Sequence, residues 1–582
     1  MSTVDCAPYF SEPALEILRE RYLRRDETGK LVEDPEGMFA RVADAIAAPA
    51  RLFGEDKPFW ENRFFEHLRK REFLPNSPTL MNAGLPGGQL AACFVLPVED
   101  DLDSIFSAMS RMARIHQTGG GTGFSFSALR PRGDYVGSTG GTASGPVSFI
   151  GLFDHATAVI RQGGRRRGAN MAVVRVDHPD IVEFIEAKKT AGRLENFNLA
   201  VGITDPFLAA LDNGAVFGLR NPRTGRVDRA IDAAALFDRI VEAAWATGDP
   251  GLLFLDEINK GNPTPALGPI EATNPCGEQP LLPFESCTLG SINLAAFVVG
   301  KTIDWERLAE AIHDAVVFLD NVIEANQYPF PEVESATRRT RKIGLGVMGL
   351  AELLARVGIA YDSEEGVNLG GEIAKFLTSR ARAASIELGR RRGSFPAFSN
   401  SVWPRLGLSA LRNATTTCIA PTGTISLLAR TSASIEPFFA LALARRVLGR
   451  VIIDVNPLFE SELSALPGAA ERSLSAIREH GSARQIPELP EDLRRRFPTA
   501  LDIAPKWHVR MQAAFQAHVD AAVSKTVNLP ANASARTVRE VFSLARQLRL
   551  KGVTVYRYGS RPGQTLELIS TGMYPDCREC AV

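Results

Sequence analysis

The stretch from Asn274 to Glu278, with the sequence Asn-Pro-Cys-Gly-Glu, constrains the fold more than any other part of the chain. An amide, a thiol and a carboxyl stand at alternate positions, and alternate residues of an extended segment point the same way. Pro275 lacks an N–H donor, and Gly277 lets a ligand or another backbone come close. The stretch therefore suits a loop inserted into a cavity better than a strand of a sheet.

A thiol between an amide and a carboxyl can support several kinds of chemistry. Cysteine can act as nucleophile, metal ligand, disulfide partner or radical carrier. The carboxylate of Glu278 can take a proton from a hydroxyl group, and the amide of Asn274 can hold that hydroxyl. A small buried hydrophobe is the plain alternative for Cys276. These residues alone leave the alternatives open.

Composition disfavours several classes of protein. The 582 residues carry a net charge of −1, so the overall charge does not favour binding to nucleic acid or to a membrane surface. The N-terminus lacks a signal-peptide pattern, and no apolar run approaches the roughly 18 residues of a spanning helix, which predicts a cytoplasmic protein. The seven cysteines are odd in number and scattered, which favours reactive thiols over a disulfide framework.

Two further stretches, residues 116–123 and 415–426, combine turn or strand signals with polar groups. A glycine cluster spans 116–123, but it lacks the Lys-Ser/Thr ending of a P-loop and the spaced third glycine of a dinucleotide fingerprint, so a kinase or dehydrogenase is disfavoured. Residues 415–426 predict a strand that runs into a Gly/Thr/Ser turn and a helix. Amide groups at a helix start, together with hydroxyls, predict a phosphate site there. Cys418 is assigned to the core.

The end of the chain carries Cys577 and Cys580 in a Cys-x-x-Cys pattern. A structural zinc site needs four ligands, and the chain has no second such pair, so no protein-bound metal is predicted. A dithiol on a flexible tail can instead exchange with a buried disulfide. Residues 450–500 are less informative and predict an insertion with helices and polar loops.

The longer stretch NPCGEQPLLPFESCTLGSINL resembles the active-site finger loop of ribonucleotide reductases, in the form found in class II, adenosylcobalamin-dependent enzymes. The stretches PNSPTLMNAG and APTGTIS are similar to further motifs of that family, and the resemblance extends from about residue 70 to the end. It implies a ten-stranded α/β barrel of two parallel five-stranded halves with a central finger loop. The implied domains are a mostly helical region over 1–90, the barrel over 91–565 and a flexible tail over 566–582.

The resemblance also implies the activity and its catalytic residues. Ribonucleotides are reduced to 2′-deoxyribonucleotides for DNA synthesis, with diphosphates expected, although the residues leave triphosphates open. Adenosylcobalamin generates a thiyl radical on one cysteine, an amide and a carboxyl handle the ribose hydroxyls, and two further thiols supply electrons. The resemblance implies Cys276 as the radical cysteine, with Asn274 as the amide and Glu278 as the carboxyl. The two electron-donating thiols are Cys93 and Cys287. Cys577 and Cys580 would then re-reduce the thiol pair with a thioredoxin or glutaredoxin-like reductant.

Binding residues follow from the same resemblance. The implied substrate-binding residues are Ser77, Ala92, Cys93, Gly121, Asn274, Pro275, Cys276, Gly277, Glu278, Pro421, Thr422, Gly423, Thr424 and Ile425. The implied residues for dNTP or ATP specificity effectors are Asp100, Arg130, Arg132 and Arg165. A homodimer is expected, with no nucleic-acid or membrane partner and no ATP-cone module for overall activity control.

Two alternatives remain at this point. Class I catalytic subunits receive a radical from a metal-containing partner through two adjacent tyrosines, whereas here Val555 precedes Tyr556, and Tyr558 stands apart from it. That difference favours a radical made in place by a bound cofactor. A non-catalytic nucleotide-binding regulator is the other alternative, but it would not need Cys93, Cys287 and the tail dithiol. A glycyl-radical enzyme is disfavoured because the C-terminus lacks a glycine-centred motif.

Overall fold

A computed structural model describes residues 10–137, 140–160, 168–190, 192–447, 450–466, 470–561 and 566–567. Three residues of the predicted sites, Arg165, Cys577 and Cys580, lie outside the described residues. Within those ranges, no helix is long and apolar enough to cross a membrane.

The N-terminal region is mainly helical. Its α-helices are Glu12–Ile17, Pro35–Ala47, Lys57–Lys70 and Ser77–Asn82, and its strand is Phe73–Pro75. The second helix begins where Asp34 accepts a hydrogen bond from the Gly37 N–H, which satisfies one amide of the first turn. Its apolar face, including Met38 and Val42, is buried in a core cluster that also contains apolar residues of the barrel helix Trp305–Ala325. This region therefore packs against the barrel.

Parallel strands form the first half of the barrel. In the described part of the chain they are Cys93–Val95, Gly121–Ser125, Asn170–Arg175, Phe197–Ile203 and Gly251–Phe254. The helices around them are Leu102–Gln117, Pro146–Ile160, Ile181–Glu186, Asp205–Asp212, Ala233–Thr247 and Leu255–Lys260. Consecutive residues such as Ala172, Val173 and Val174 are all buried, as expected for parallel strands that are covered on both faces.

The second half repeats this arrangement with one irregular member. Its strands are Ser286–Asn293, Ile343–Met348, Thr526–Leu529 and Gly552–Arg557, and its helices are Trp305–Ala325, Pro331–Thr340, Leu350–Val357, Glu364–Arg392, Gly423–Ala429, Pro505–Gln516 and Ala535–Gln547. The predicted strand from residue 415 forms only in part. Only single parallel bridges join Leu345 to Thr417 and Ile419 to Val523 in the described residues. Asp520 accepts the Thr416 N–H at 2.8 Å, so a side chain replaces a ladder bond there.

The two halves meet in antiparallel pairs at both seams. Cys93 pairs with Cys287 at one seam, and Leu252 pairs with Val553 at the other. With the bridging segment 417–419 counted as the tenth member, these described strands close into a ring of two five-membered parallel halves. The predicted ten-stranded α/β barrel with a helical N-terminal region is thereby confirmed.

Described residues between 438 and 497 form a smaller core cluster together with Ala351 and Ala355 of the barrel helix Leu350–Val357. The helices Pro457–Ser464, Ala470–His480 and Glu491–Arg496 confirm the helical part of the prediction. The hairpin of Ala442–Val447 with Arg450–Val455, to which Leu566–Glu567 adds a strand, was not predicted. Shorter antiparallel pairs occur elsewhere: Tyr135–Val136 with Gly141–Thr142, Val216–Arg220 with Val227–Asp232, and Val298–Val299 with Thr302–Ile303.

Candidate active site

A hairpin carries the Asn-Pro-Cys-Gly-Glu stretch into the barrel. Ala272–Thr273 pairs with Pro280–Leu281, and we call residues 272–281 the finger loop. Its tip is a β-turn in which the Gly277 N–H donates to the Asn274 carbonyl at 3.1 Å. The sequence interpretation of an extended tip is therefore corrected, because this bond closes a turn over residues 274–277, and Gly277 then redirects the chain with a φ of +84°. The turn leaves Cys276 exposed while Asn274 and Glu278 are buried.

Glycines of the strand Gly121–Ser125 explain how the finger loop fits inside the barrel. A Cβ atom on Gly123 would lie 1.7 Å from the Thr273 carbonyl oxygen, and one on Gly121 would lie 2.9 Å from the Pro275 ring. Neither position has room for a side chain, so the finger loop lies directly on this strand. The glycine cluster of the sequence thus forms the surface on which the finger loop rests.

A cavity of about 250 Å³ surrounds the tip of the finger loop. All predicted substrate-binding residues line it except Gly277. It is lined by Asn76, Ser77, Ala92, Cys93, Gly119, Gly120, Gly121, Ala169, Asn274, Pro275, Cys276, Glu278, Leu289, Gly290, Ser291, Ala420, Pro421, Thr422, Gly423, Thr424 and Ile425. The structure therefore brings together residues from seven separate stretches of the chain.

Several lining residues were missed by the sequence analysis. Asn76 belongs to the turn-rich loop before Ser77, and its side chain accepts the Thr79 N–H at 3.0 Å. Asn76 belongs to the family-like stretch PNSPTLMNAG, so the sequence did carry a signal for it. Leu289, Gly290 and Ser291 lie inside a fully buried strand, and their only signal was their place in the stretch NPCGEQPLLPFESCTLGSINL.

Cys93 and Cys287 lie directly opposite each other at the seam between the two halves. Both are buried, and none of the described cysteines forms a disulfide. Opposed residues of an antiparallel pair have Cβ atoms about 4.5–5.5 Å apart, close to the roughly 3.5–4.5 Å of a disulfide. The side-chain amide of Asn274 donates to the Cys93 sulfur at 3.2 Å, which links this thiol pair to the finger loop.

The surroundings of the thiol pair keep it protonated. Burial raises the pKa of Cys93 well above its ordinary value, and the neighbouring charge of Glu278 raises it further. Burial also raises the pKa of Cys287, with partial opposition from the charge of Lys342. At neutral pH both sulfurs therefore carry protons that they can give to a leaving group.

Residues 420–425, which we call the phosphate loop, form another part of the cavity lining. Thr422 adopts a left-handed φ of +54° before the helix Gly423–Ala429, and its hydroxyl accepts the Ser434 N–H at 2.7 Å. The first amide groups of a helix have no partner within the helix. Gly423, Thr424 and Ile425 line the cavity, so these amides lie where an anion could bind.

The described residues of the predicted effector site, Asp100, Arg130 and Arg132, do not line this cavity. Arg130 binds Asp100 through its Nε at 2.8 Å and through its backbone N–H at 3.0 Å. Arg132 instead contacts Glu183 with its guanidinium at 2.7 Å. The structure thus brings Asp100 and Arg130 together and places Arg132 with a different acidic partner.

The fold and the cavity define an α/β-barrel enzyme built around a thiol on a central loop. Its sequence matches the ribonucleotide reductase all-alpha domain over residues 9–88 and the ribonucleotide reductase barrel domain over 91–410 and 405–556. The chain belongs to the ribonucleotide reductase family.

Curated relatives and a solved structure agree with this assignment. A vitamin B12-dependent ribonucleoside-diphosphate reductase of Mycobacterium tuberculosis (strain CDC 1551 / Oshkosh) is 53% identical, over 95% of this chain and 80% of the relative. A protein of the same name from Thermoplasma acidophilum is 45% identical, over 95% and 79%. The class Id ribonucleotide reductase alpha subunit of Actinobacillus ureae superposes with a TM-score of 0.77 at 23% identity, covering 95% of this chain and 98% of that one. The last comparison supports the fold.

Proposed function

We propose that this chain reduces ribonucleoside diphosphates to 2′-deoxyribonucleoside diphosphates, with adenosylcobalamin as the radical source. The observation that carries the proposal is the pairing of Cys93 with Cys287 beside a cavity lined by Asn274, Cys276 and Glu278. The names of the relatives, vitamin B12-dependent ribonucleoside-diphosphate reductases, support both the cofactor and the diphosphate substrate.

The exposure of the cysteines fits such a cofactor. Cys276 is exposed, whereas Cys93, Cys287 and Cys418 are buried, so among the described thiols Cys276 is the one most accessible to a bound group. Asn198, an exposed residue of a barrel strand, contacts the finger loop next to Cys276. These two residues would face the cofactor. When bound, adenosylcobalamin supplies the radical equivalent that removes a hydrogen atom from a thiol.

The residues of the cavity then divide the reaction among them. The Cys276 thiyl takes the hydrogen atom from C3′ of the ribose, Glu278 accepts the 3′-hydroxyl proton, and Asn274 holds the sugar. The 2′-hydroxyl leaves as water after it takes a proton from the thiol pair. Cys93 and Cys287 give two electrons as their S–S bond forms, and their second hydrogen ends on C2′. Glu278 then returns its proton to the 3′ oxygen, and Cys276 returns its hydrogen atom to C3′, which regenerates the Cys276 thiyl.

The phosphate loop is proposed to bind the diphosphate. Residues 421–425 line the same cavity as Cys93 and the tip of the finger loop, so a nucleotide anchored there by its phosphates can present its ribose to Cys93 and Cys276. Thr422 already accepts a hydrogen bond from Ser434, which leaves its O–H hydrogen available for a phosphate oxygen. Electrostatic positioning of this kind requires no lysine.

Partner proposals rest on other surfaces. The helices Leu102–Gln117 and Pro146–Ile160 expose Leu102 by 62%, Phe106 by 47% and Val159 by 60%. Exposed large apolar side chains on two neighbouring helices favour self-association, and we assign this face to a homodimer.

Specificity effectors would bind near Asp100, Arg130 and Arg132. A thioredoxin or glutaredoxin-like protein would reduce the tail dithiol, which in turn reduces Cys93 and Cys287.

Cofactor dependence of the purified chain tests the proposed function. Cytidine diphosphate and dithiothreitol should give deoxycytidine diphosphate when adenosylcobalamin is added, and none with hydroxocobalamin, which lacks the adenosyl group. Chromatography of the nucleotides measures the product. Product formed without adenosylcobalamin, or formed only after addition of a metal-containing second subunit, would contradict the proposal and favour the class I alternative.

A further inference from the structure

The proposed function places Asn198 beside the cofactor, but no step of the proposed reaction uses the hydrogen bond that Asn198 makes with the finger loop. It lies in the strand Phe197–Ile203, whose other residues are all buried, whereas Asn198 is exposed. Its side-chain amide donates to the Pro275 carbonyl at 2.8 Å. Asn198 does not line the nucleotide cavity, so this bond reaches the finger loop from outside that cavity.

The bonded carbonyl belongs to the peptide that joins Pro275 to Cys276. This peptide is the central one of the β-turn that begins at Asn274 and ends at Gly277. The central peptide of a β-turn has two favourable orientations, type I and type II, whose carbonyls point in opposite directions, and proline at the second position suits both. The hydrogen bonds from the Gly277 N–H to the Asn274 carbonyl and from the Asn274 N–H to the Gln279 carbonyl are compatible with either orientation of the central peptide.

The observed orientation has the character of type I. Type II requires a positive φ at the third position, which is Cys276. Among the described residues with positive φ, Gly277 occurs at +84° and Cys276 does not. Because a peptide is planar, holding its carbonyl oxygen also fixes the N–Cα bond of Cys276, and with it the direction of the Cys276 side chain.

We infer that Asn198 is a positioning residue for Cys276. Its amide holds the Pro275–Cys276 peptide in one orientation, so that the Cys276 sulfur stays directed between the nucleotide cavity and the exposed face of the finger loop. This inference rests on the proposed function for its catalytic consequence, but the contact itself can be tested without turnover. A small displacement of a reacting atom can cost on the order of 100-fold in rate.

The test uses Asn198→Ala and Asn198→Asp, both of which remove the donor. Asn213→Ala is the matched control, because Asn213 also donates from its side-chain amide to a backbone carbonyl at 2.8 Å and is exposed, but lies at the end of the outer helix Asp205–Asp212. Hydrogen exchange of the Cys276 and Gly277 amides is measured in the nucleotide-free and cofactor-free protein. We expect about fivefold faster exchange in both Asn198 variants, from the loss of one hydrogen bond, and no change in the control.

Steady-state kinetics supply the second readout. In both Asn198 variants kcat should fall roughly 10- to 100-fold while KM for the nucleotide diphosphate stays unchanged, since the phosphate loop is intact. Unchanged exchange at Cys276 and Gly277 would overturn the inference even if the parent enzyme proved inactive with adenosylcobalamin. A raised KM at unchanged kcat would also overturn it, because that result assigns Asn198 to substrate binding.

Discussion

Replacement of Cys276 by serine is expected to abolish deoxynucleotide formation and to leave nucleotide binding unchanged. The substitution exchanges one atom at an exposed position, so the finger loop has no reason to refold, and the phosphate loop keeps its contacts. A hydroxyl does not replace a thiol as carrier of a transient radical, so the loss should be at least on the order of 10⁴-fold, as for other residues that bear the reacting atom. Product analysis by chromatography and nucleotide titration by calorimetry measure the two effects.

Cys418→Ser is the matched control for that substitution. Cys418 is buried near the thiol pair but does not line the cavity, so its replacement should lower stability and leave the activity of the folded fraction intact. Substantial turnover by Cys276→Ser would contradict the radical role of Cys276. Equal loss of activity in Cys418→Ser would show that the assay reports folding rather than chemistry.

The second large effect is expected at the thiol pair. Either Cys93→Ser or Cys287→Ser removes one of the two electron-donating sulfurs, so turnover should fall by on the order of 1,000-fold or more. The parent enzyme, pre-reduced and then given substrate without external reductant, should form a Cys93–Cys287 disulfide. Peptide mapping by mass spectrometry before and after substrate addition measures that bond.

The register of the barrel makes this second prediction specific. Cys93 and Cys287 are direct partners across an antiparallel seam, whereas Cys418 lies in the bridging segment of the second half. Cys418→Ala should therefore form the same disulfide as the parent. A substrate-dependent disulfide that uses Cys418, or product formed with both Cys93 and Cys287 still reduced, would contradict the assignment.

Most residues of the cavity lining could be predicted from the sequence because they occur in short contiguous motifs. The Asn-Pro-Cys-Gly-Glu stretch, the Ser77 loop and residues 421–425 each keep their functional groups within a few positions, and all three contribute to one cavity. The resemblance supplied the barrel, which no local pattern specified. Cys93 shows the limit of local reading, since a cysteine in a short apolar strand is ordinarily core.

Contacts between distant segments could not be predicted. The close approach of Gly123 to Thr273 and the bond from Asn198 to Pro275 depend on how the finger loop lies against the first half of the barrel. The segment around Thr417 was predicted as a regular strand, but side-chain bonds to Asp520 interrupt its ladder. The turn at Cys276 was read as extended because alternation of side chains does not reveal a closing hydrogen bond between residues 274 and 277.

A crystal structure of the enzyme with a bound nucleotide diphosphate would test the central claim most directly. The measured quantities are the distances from the ribose to the sulfurs of Cys276, Cys93 and Cys287. The account predicts the diphosphate on residues 421–425, C3′ within roughly 3–4 Å of the Cys276 sulfur, and C2′ facing Cys93 and Cys287. A nucleotide bound elsewhere, or a ribose turned away from all three sulfurs, would contradict it.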